Sequence, residues 1–297
     1  MLIRTEITGI GDPFVLRVGD KYYAYATYTA SVSEGFHCYI SENLTDWVDS
    51  GYCYRNSSWG EDSFWAPEVY ERNGKYYMIY TARWKKNHSL RIGLAVSDTP
   101  TGPFKDIKDG PLFDLGYACI DATLLFDDDG KIYLYYARDC SENVVGGAHV
   151  SEIYCVELSE NLLHFITQPK RIATPDVEWE TSRDPMWLWN EGPAVLKHNG
   201  RYYLNYSVNY FACPEYSVGC AVADSPVGPF VKYGYPVLAK GEGDFSGPGH
   251  NSFFFDRSGK LLTAFHIHTY PDQPSGNRRM CIGEVEIDKN GIFHIVL

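Results

Sequence analysis

Residues 74–82, GKYYMIYTA, read as a polar, glycine-bearing turn running straight into an alternating aromatic strand, and the chain carries four more stretches of this kind. They are GDKYYAYATY (19–28), GKIYLYYARD (130–139), GRYYLNYSV (200–208) and GKLLTAFHI (259–267). With Asp20 set level with the four later glycines, the intervals are 54, 56, 70 and 59 residues. A turn followed by tyrosine-rich, period-two residues is a hairpin signal. A second repeat follows downstream. LAVSDTPTGPF (94–104) and CAVADSPVGPF (220–230) are close copies, with CYISENLTDW (38–47) and IYCVELSENLLHF (153–165) as looser versions. Long helical periodicity is absent. Five recurrences at this period predict an all-β chain, a five-bladed β-propeller forming a single domain over residues 1–297. A β-sandwich with similar hairpins is the alternative.

Composition sets the outer bounds. The 297 residues are 44% apolar and 15% aromatic, enough for an extensive sheet core. A formal charge of −12 excludes nucleic acid and anionic membrane as partners. No run of eighteen apolar residues is present to cross a bilayer. The start, MLIRTEITGIGDPF, lacks the apolar core of a secretory signal, and the eight cysteines are scattered without a CxxC pair. They read as small buried residues in a reducing, cytoplasmic compartment.

Candidate chemistry stands just before each hairpin turn. Asp121 interrupts the otherwise apolar run CIDATLLF (119–126), where an unpartnered carboxylate would cost several kcal/mol. It lies nine residues before Gly130; Glu191 and His250 lie nine before Gly200 and Gly259, and Asp12 eight before Asp20. Glu68 lies six before Gly74. Matched positions on the inner strands of successive blades would converge on one mouth. Two carboxylates across a pocket are what glycoside hydrolysis requires, one protonated and one ionised. A third beside the acid would raise its pKa by like-charge repulsion. Trp65, Trp187 and Trp189 offer flat apolar faces for sugar rings, although each equally suits blade packing.

The ordered set GDPF (11–14), FWAPEV (64–69), IDATLLF (120–126), NEGPAVLKHNGRYYLNYS (190–207) and GPGHNSFFF (247–255) resembles glycoside hydrolase family 43. The resemblance covers essentially the whole chain and implies an inverting five-bladed enzyme. It implies Asp12 as general base, Glu191 as general acid and Asp121 as the residue that tunes and orients the acid. In inverting enzymes the two carboxyl groups stand roughly 6.5–9.5 Å apart. It also implies a calcium ion beside His250 on the central channel and no organic cofactor. Arg278 would reach the sugar while Arg279 points away, and Phe36 and Trp65 would wall the innermost subsite. His266 and His268 read as structural. The expected substrates are pentose oligosaccharides, from which terminal β-D-xylose or α-L-arabinofuranose is removed. Endo-1,5-α-L-arabinanase is the alternative within the family, and a non-catalytic sugar-binding propeller is the alternative outside it. Two insertions, 53–65 and 175–189, favour a closed pocket.

Overall fold

The structure, a computed structural model, describes residues 2–28 and 34–297. It is all-β, with helix confined to single short turns at Cys140–Glu142 and Glu178–Thr181. No helix among the described residues is long and apolar enough to cross a membrane. The five turn-and-strand repeats each become the first hairpin of a four-stranded antiparallel unit. The first strands are Ile3–Val18, Trp65–Arg72, Cys119–Phe126, Asn190–His198 and Gly249–Phe255. The second strands are Lys21–Tyr28, Lys75–Arg83, Ile132–Arg138, Arg201–Val208 and Leu261–His268.

Units stack face to face, so both faces of a strand are covered. Every residue of Tyr202–Val208 is buried, which is why aromatic residues fill positions that would be polar in a one-sided sheet. Each junction between consecutive units has its own apolar cluster. Phe14, Tyr25 and Phe36 of the first unit meet Val69, Met78 and Tyr80 of the second. Ile79 and Leu94 meet Leu124 and Leu134; Ile153 meets Leu204 and Tyr206; Leu196 and Tyr203 meet Val285 and Phe293. The fifth unit then meets the first through Phe254, Leu262 and Met280 against Ile10, Val15 and Ala24. Phe36, expected on a sugar-binding wall, is fully buried here. It packs 5.8, 6.2 and 5.7 Å from the rings of Tyr54, Phe64 and Tyr80. An aromatic side chain in a sheet covered on both faces goes to the core.

The N-terminal strand closes the assembly. Residues 3–10 pair with the Arg278–Ile287 strand of the last unit, and residues 10–18 then form the first strand of the first. The two units thereby join into one eight-stranded sheet.

The first strands share a further device. Each has a bulge carrying one residue at positive φ: Asp12 (53°), Ala66 (45°), Asp121 (57°), Gly192 (52°) and His250 (47°). A non-glycine residue in this region costs about 1–3 kcal/mol, so the surroundings must hold it. The backbone N–H at each bulge is caught by a side chain of the preceding unit. Ala66 donates to Thr27 Oγ1 (2.8 Å), Asp121 to Thr81 Oγ1 (3.0 Å) and His250 to Ser207 Oγ (2.8 Å). Asp12 donates to His266 Nδ1 (3.1 Å), which closes the circle. In the third unit the equivalent residue is Ala137, which offers no acceptor, and the Gly192 N–H goes to Asp121 Oδ2 instead (3.0 Å).

Thr81 is completely buried, so Thr81→Val keeps the shape and leaves the Asp121 N–H unpaired. The expected loss is about 1–3 kcal/mol of unfolding free energy, measured by urea denaturation. An unchanged midpoint and slope would show that this N–H finds another partner.

Candidate active site

The bulges aim side chains into one cavity of about 700 Å³ at the common end of the first strands. Asp12, Asp121, Glu191, His250, Arg278, Trp65 and Trp189 all line it, whereas Phe36, Glu68 and Trp187 do not. Asp12, Asp121 and His250 occupy the positive-φ position itself, and Glu191 stands one residue before it. Glu68 lies two residues beyond Ala66, down the strand and off the cavity wall. Buried there, it accepts from the Tyr70 hydroxyl, and burial pushes its pKa up to about 8, against the hydrogen bonds from Tyr70 and Thr123. The expectation that Glu68 joins the site is corrected: Ala66 is the second unit's counterpart to the acids.

Asp12 sits in a cationic nest. Arg278 Nη1 donates to its Oδ1 at 2.9 Å, with His250 Nδ1 at 3.3 Å and His266 Nδ1 at 3.6 Å from the same oxygen. Thr27 donates to the other oxygen at 2.5 Å. Burial alone would push the carboxyl pKa up. Arg278 first, then His250 and the Thr27 hydroxyl, outweigh it and hold Asp12 well below the usual carboxylate range. His266, kept neutral by burial and by the Arg278 charge, accepts the Asp12 N–H and adds no positive charge. Gly11 makes room for this pairing, because a Cβ there would fall 1.8 Å from the Arg278 guanidinium. Arg279, next along the strand, does not line the cavity, as alternation requires.

Glu191 has the opposite surroundings. Burial, then the negative charge of Asp121, push its pKa well up, opposed by a 2.9 Å hydrogen bond from the Tyr216 hydroxyl to Oε1. Asp139, also on the cavity wall, adds a further like charge. Asp121 lies between the two. Burial raises its pKa to about 6, while His250, 3.9 Å away, and the Gly192 N–H pull it down. One carboxylate is thus held ionised and another protonated within a single pocket.

The structure adds residues that the sequence did not single out. Tyr216 fixes one oxygen of Glu191 and stacks on His266 at 5.5 Å with 6° between the planes. Gly249 leaves space for its ring. His266, expected to be structural, lies against Asp12 and receives its backbone N–H; His268 bonds Ser246 and the Phe211 carbonyl, away from the acids. Arg83, at the end of its second strand, and Asp139, just past the end of its own, stand two residues beyond Thr81 and Ala137, so the repeat register was a signal for both. Tyr216 lies outside the repeats and carried none.

The expected calcium finds a sparse donor set. Among the described residues no three His, Cys, Asp or Glu side chains are grouped to hold a metal. Nδ1 of His250 faces Asp12 and Asp121. A cation beside His250 would therefore take one imidazole nitrogen from the protein and draw the oxygens calcium prefers from water.

A family model for glycosyl hydrolases family 43 matches residues 8–293. The chain belongs to glycosyl hydrolase family 43. This glycosidase is 28% identical over 295 residues to the beta-D-galactofuranosidase xynD of Aspergillus niger, covering 94% of this chain and 80% of that protein. It is 27% identical over 257 residues to a beta-xylosidase of Xylanibacter ruminicola, covering 78% and 74%. A crystal structure of a thermostable family-43 glycoside hydrolase superposes with a TM-score of 0.93 at 45% identity, covering 98% of this chain and 94% of the other.

Two substitutions should move the pH–rate profile in opposite directions. Tyr216→Phe keeps the ring but removes a donor that favours ionised Glu191, so the basic limb of kcat/KM moves to higher pH. Asp121→Asn removes the charge that disfavours ionisation, so the basic limb moves to lower pH. Two limbs moving the same way would show that Glu191 is not the group titrating.

Proposed function

We propose that this enzyme is an inverting exo-glycosidase that removes terminal β-D-xylose or α-L-arabinofuranose from xylan- or arabinan-derived oligosaccharides. One observation carries the reading: a carboxylate held ionised, Asp12, and a carboxyl held protonated, Glu191, share one sugar-sized cavity. In this reading the five units are the blades of a five-bladed propeller forming one domain. The closed circle of bulge contacts and the five inter-unit clusters support it. Asp12 takes a proton from water, which attacks the anomeric carbon as Glu191 protonates the departing glycosidic oxygen from the other side. Asp121 keeps Glu191 protonated and, through Gly192, fixes the backbone beside it. Arg278 holds Asp12 and offers hydrogen bonds to the sugar; Trp65 supplies an apolar wall. The pentose preference draws on relatives named beta-xylosidase and exo-alpha-(1->5)-L-arabinofuranosidase. The eight unpaired, buried cysteines support a reducing, cytoplasmic setting.

Asp12→Ala and Glu191→Ala are each expected to lower turnover by ~10²–10⁴-fold while the fold, read by circular dichroism, is retained. Proton NMR of the first-formed sugar should show the inverted anomer. Nitrophenyl β-xyloside, α-arabinofuranoside and β-galactofuranoside, with linear arabinan, form the substrate panel. A retained anomer, or rapid internal cleavage of arabinan without terminal release, would overturn the reading.

The same proposal includes a calcium ion held by His250 and water. Its charge would favour the ionised forms of the nearby acids and hold the inner strand ends together. Chelation should then lower the melting temperature, added calcium should restore it, and His250→Ala should abolish the response. A melting temperature indifferent to chelator, with no metal by elemental analysis, would remove the ion.

A further inference from the structure

Beyond the cavity that holds the reacting bond, a row of aromatic rings leads outward from the active site to the surface. It starts at Arg278, whose guanidinium lies 5.2 Å from the Phe211 ring centroid. Phe211 and Tyr210 follow at 4.7 Å, Tyr210 and Trp189 at 5.9 Å, and Trp189 and Trp187 at 6.2 Å with 21° between the planes. Trp187 in turn lies on the His149 ring at 4.0 Å and 4°. Tyr210 and Trp187 are 46% and 39% exposed, values well above those of the core aromatics. These rings are held open by a small separate sheet. Trp187–Leu188 pairs in parallel with Ala148–Val150, which pairs with Val144–Val145, so the tryptophans stand on backbone-bonded structure.

A second cavity of about 580 Å³ lies along this row. Trp189 and Tyr210 line both cavities, so the two adjoin at these rings. Beside its aromatic rings the second cavity is lined by Arg183, Asp184 and Asn209. Flat apolar plates edged with hydrogen-bonding groups match a sugar unit, whose ring has apolar C–H faces and a hydroxyl rim. The location also identifies which part of the substrate lies there. Trp189 stands two residues before Glu191 on the same run of chain, so the outer end of the row, Trp189 and Trp187, is carried by the segment that leads into Glu191. The acid protonates the leaving oxygen, and the leaving-group sugars therefore extend along the row.

We propose that the Tyr210–Trp189–Trp187 row binds the leaving-group end of a chain of at least three sugars, making this enzyme one whose efficiency depends on substrate length. The proposal rests on the glycosidase reading above and adds the ligand class of the second cavity. Its energetic basis is burial of apolar sugar faces against rings that are already fixed and pay little ordering entropy on binding.

The experiment compares kcat/KM for linear xylo- and arabino-oligosaccharides of two to five units in the wild type and in Trp187→Ala. For the wild type, kcat/KM is expected to rise about tenfold from the dimer to the tetramer. In Trp187→Ala that ratio should fall below about twofold, mainly through KM. A direct binding measurement accompanies it, using Glu191→Gln to prevent turnover. The indole N–H resonances of Trp187 and Trp189 should shift with tetramer, and the Trp187 resonance should stay in place with dimer. A flat length dependence in the wild type, or a dependence that survives Trp187→Ala with unshifted indole resonances, would overturn this proposal alone. Cleavage at no length would overturn the glycosidase reading and this proposal with it.

Discussion

Every first strand reaches the active-site end through a bulged backbone, disfavoured in the four units where the residue is not glycine, and a hydrogen bond from the neighbouring unit holds it. Thr27, Thr81, Ser207 and His266 each accept a bulge N–H from the unit that follows. Ala137 breaks the pattern, and its break is what connects the circle to the chemistry. With no acceptor from that side chain, the Gly192 N–H binds the carboxylate of Asp121. The carboxylate that raises the pKa of Glu191 is thus fastened to the residue next to Glu191. The contacts between units and the placing of the buried carboxyl groups use the same backbone groups.

The circle also accounts for the opposite electrostatic fates of equally buried carboxyl groups. Burial raises the pKa of Asp12, Asp121 and Glu191 alike, so the differences come from neighbours. Asp12 faces Arg278, which comes from the last unit because the N-terminal strand lies beside it. Glu191 faces Asp121 and Asp139, and its one strong donor is a tyrosine that carries no charge. Burial also pushes the Tyr216 hydroxyl's own pKa well up, so Tyr216 remains a donor across the working pH range. A single polar cluster therefore separates an ionised carboxylate from a protonated one by the order in which the chain delivers its charges.

The repeats were legible because each hairpin needs its own turn and each twice-covered strand needs aromatic residues, and both leave local marks in the sequence. Asp12, Asp121, Glu191 and His250 were legible from their register before those turns. Phe36 was misjudged because burial depends on Tyr54, Phe64 and Tyr80, brought in from other strands. Glu68 was placed in the site because counting back from a turn does not reveal where a bulge falls; Ala66 occupies the bulge, and Glu68 follows the strand down into the interior. Tyr216 could not be read from the sequence at all, since its role arises from distances to Glu191 and His266 that no spacing encodes.

The strand shared between the last unit and the first has a consequence for biosynthesis. Residues 3–10 leave the ribosome long before their partners at 278–282 are made. At roughly 5–20 residues per second, this strand edge waits about 15–60 s before it can pair. The hydrogen bond from Thr5 to the Met280 carbonyl spans 275 positions, so it can form only once that distant strand has been made. During that interval the nascent chain displays an unsatisfied strand edge, the kind of surface on which other chains pair. A chaperone's most useful moment with this protein is therefore the interval before the strand at 278–287 has been made.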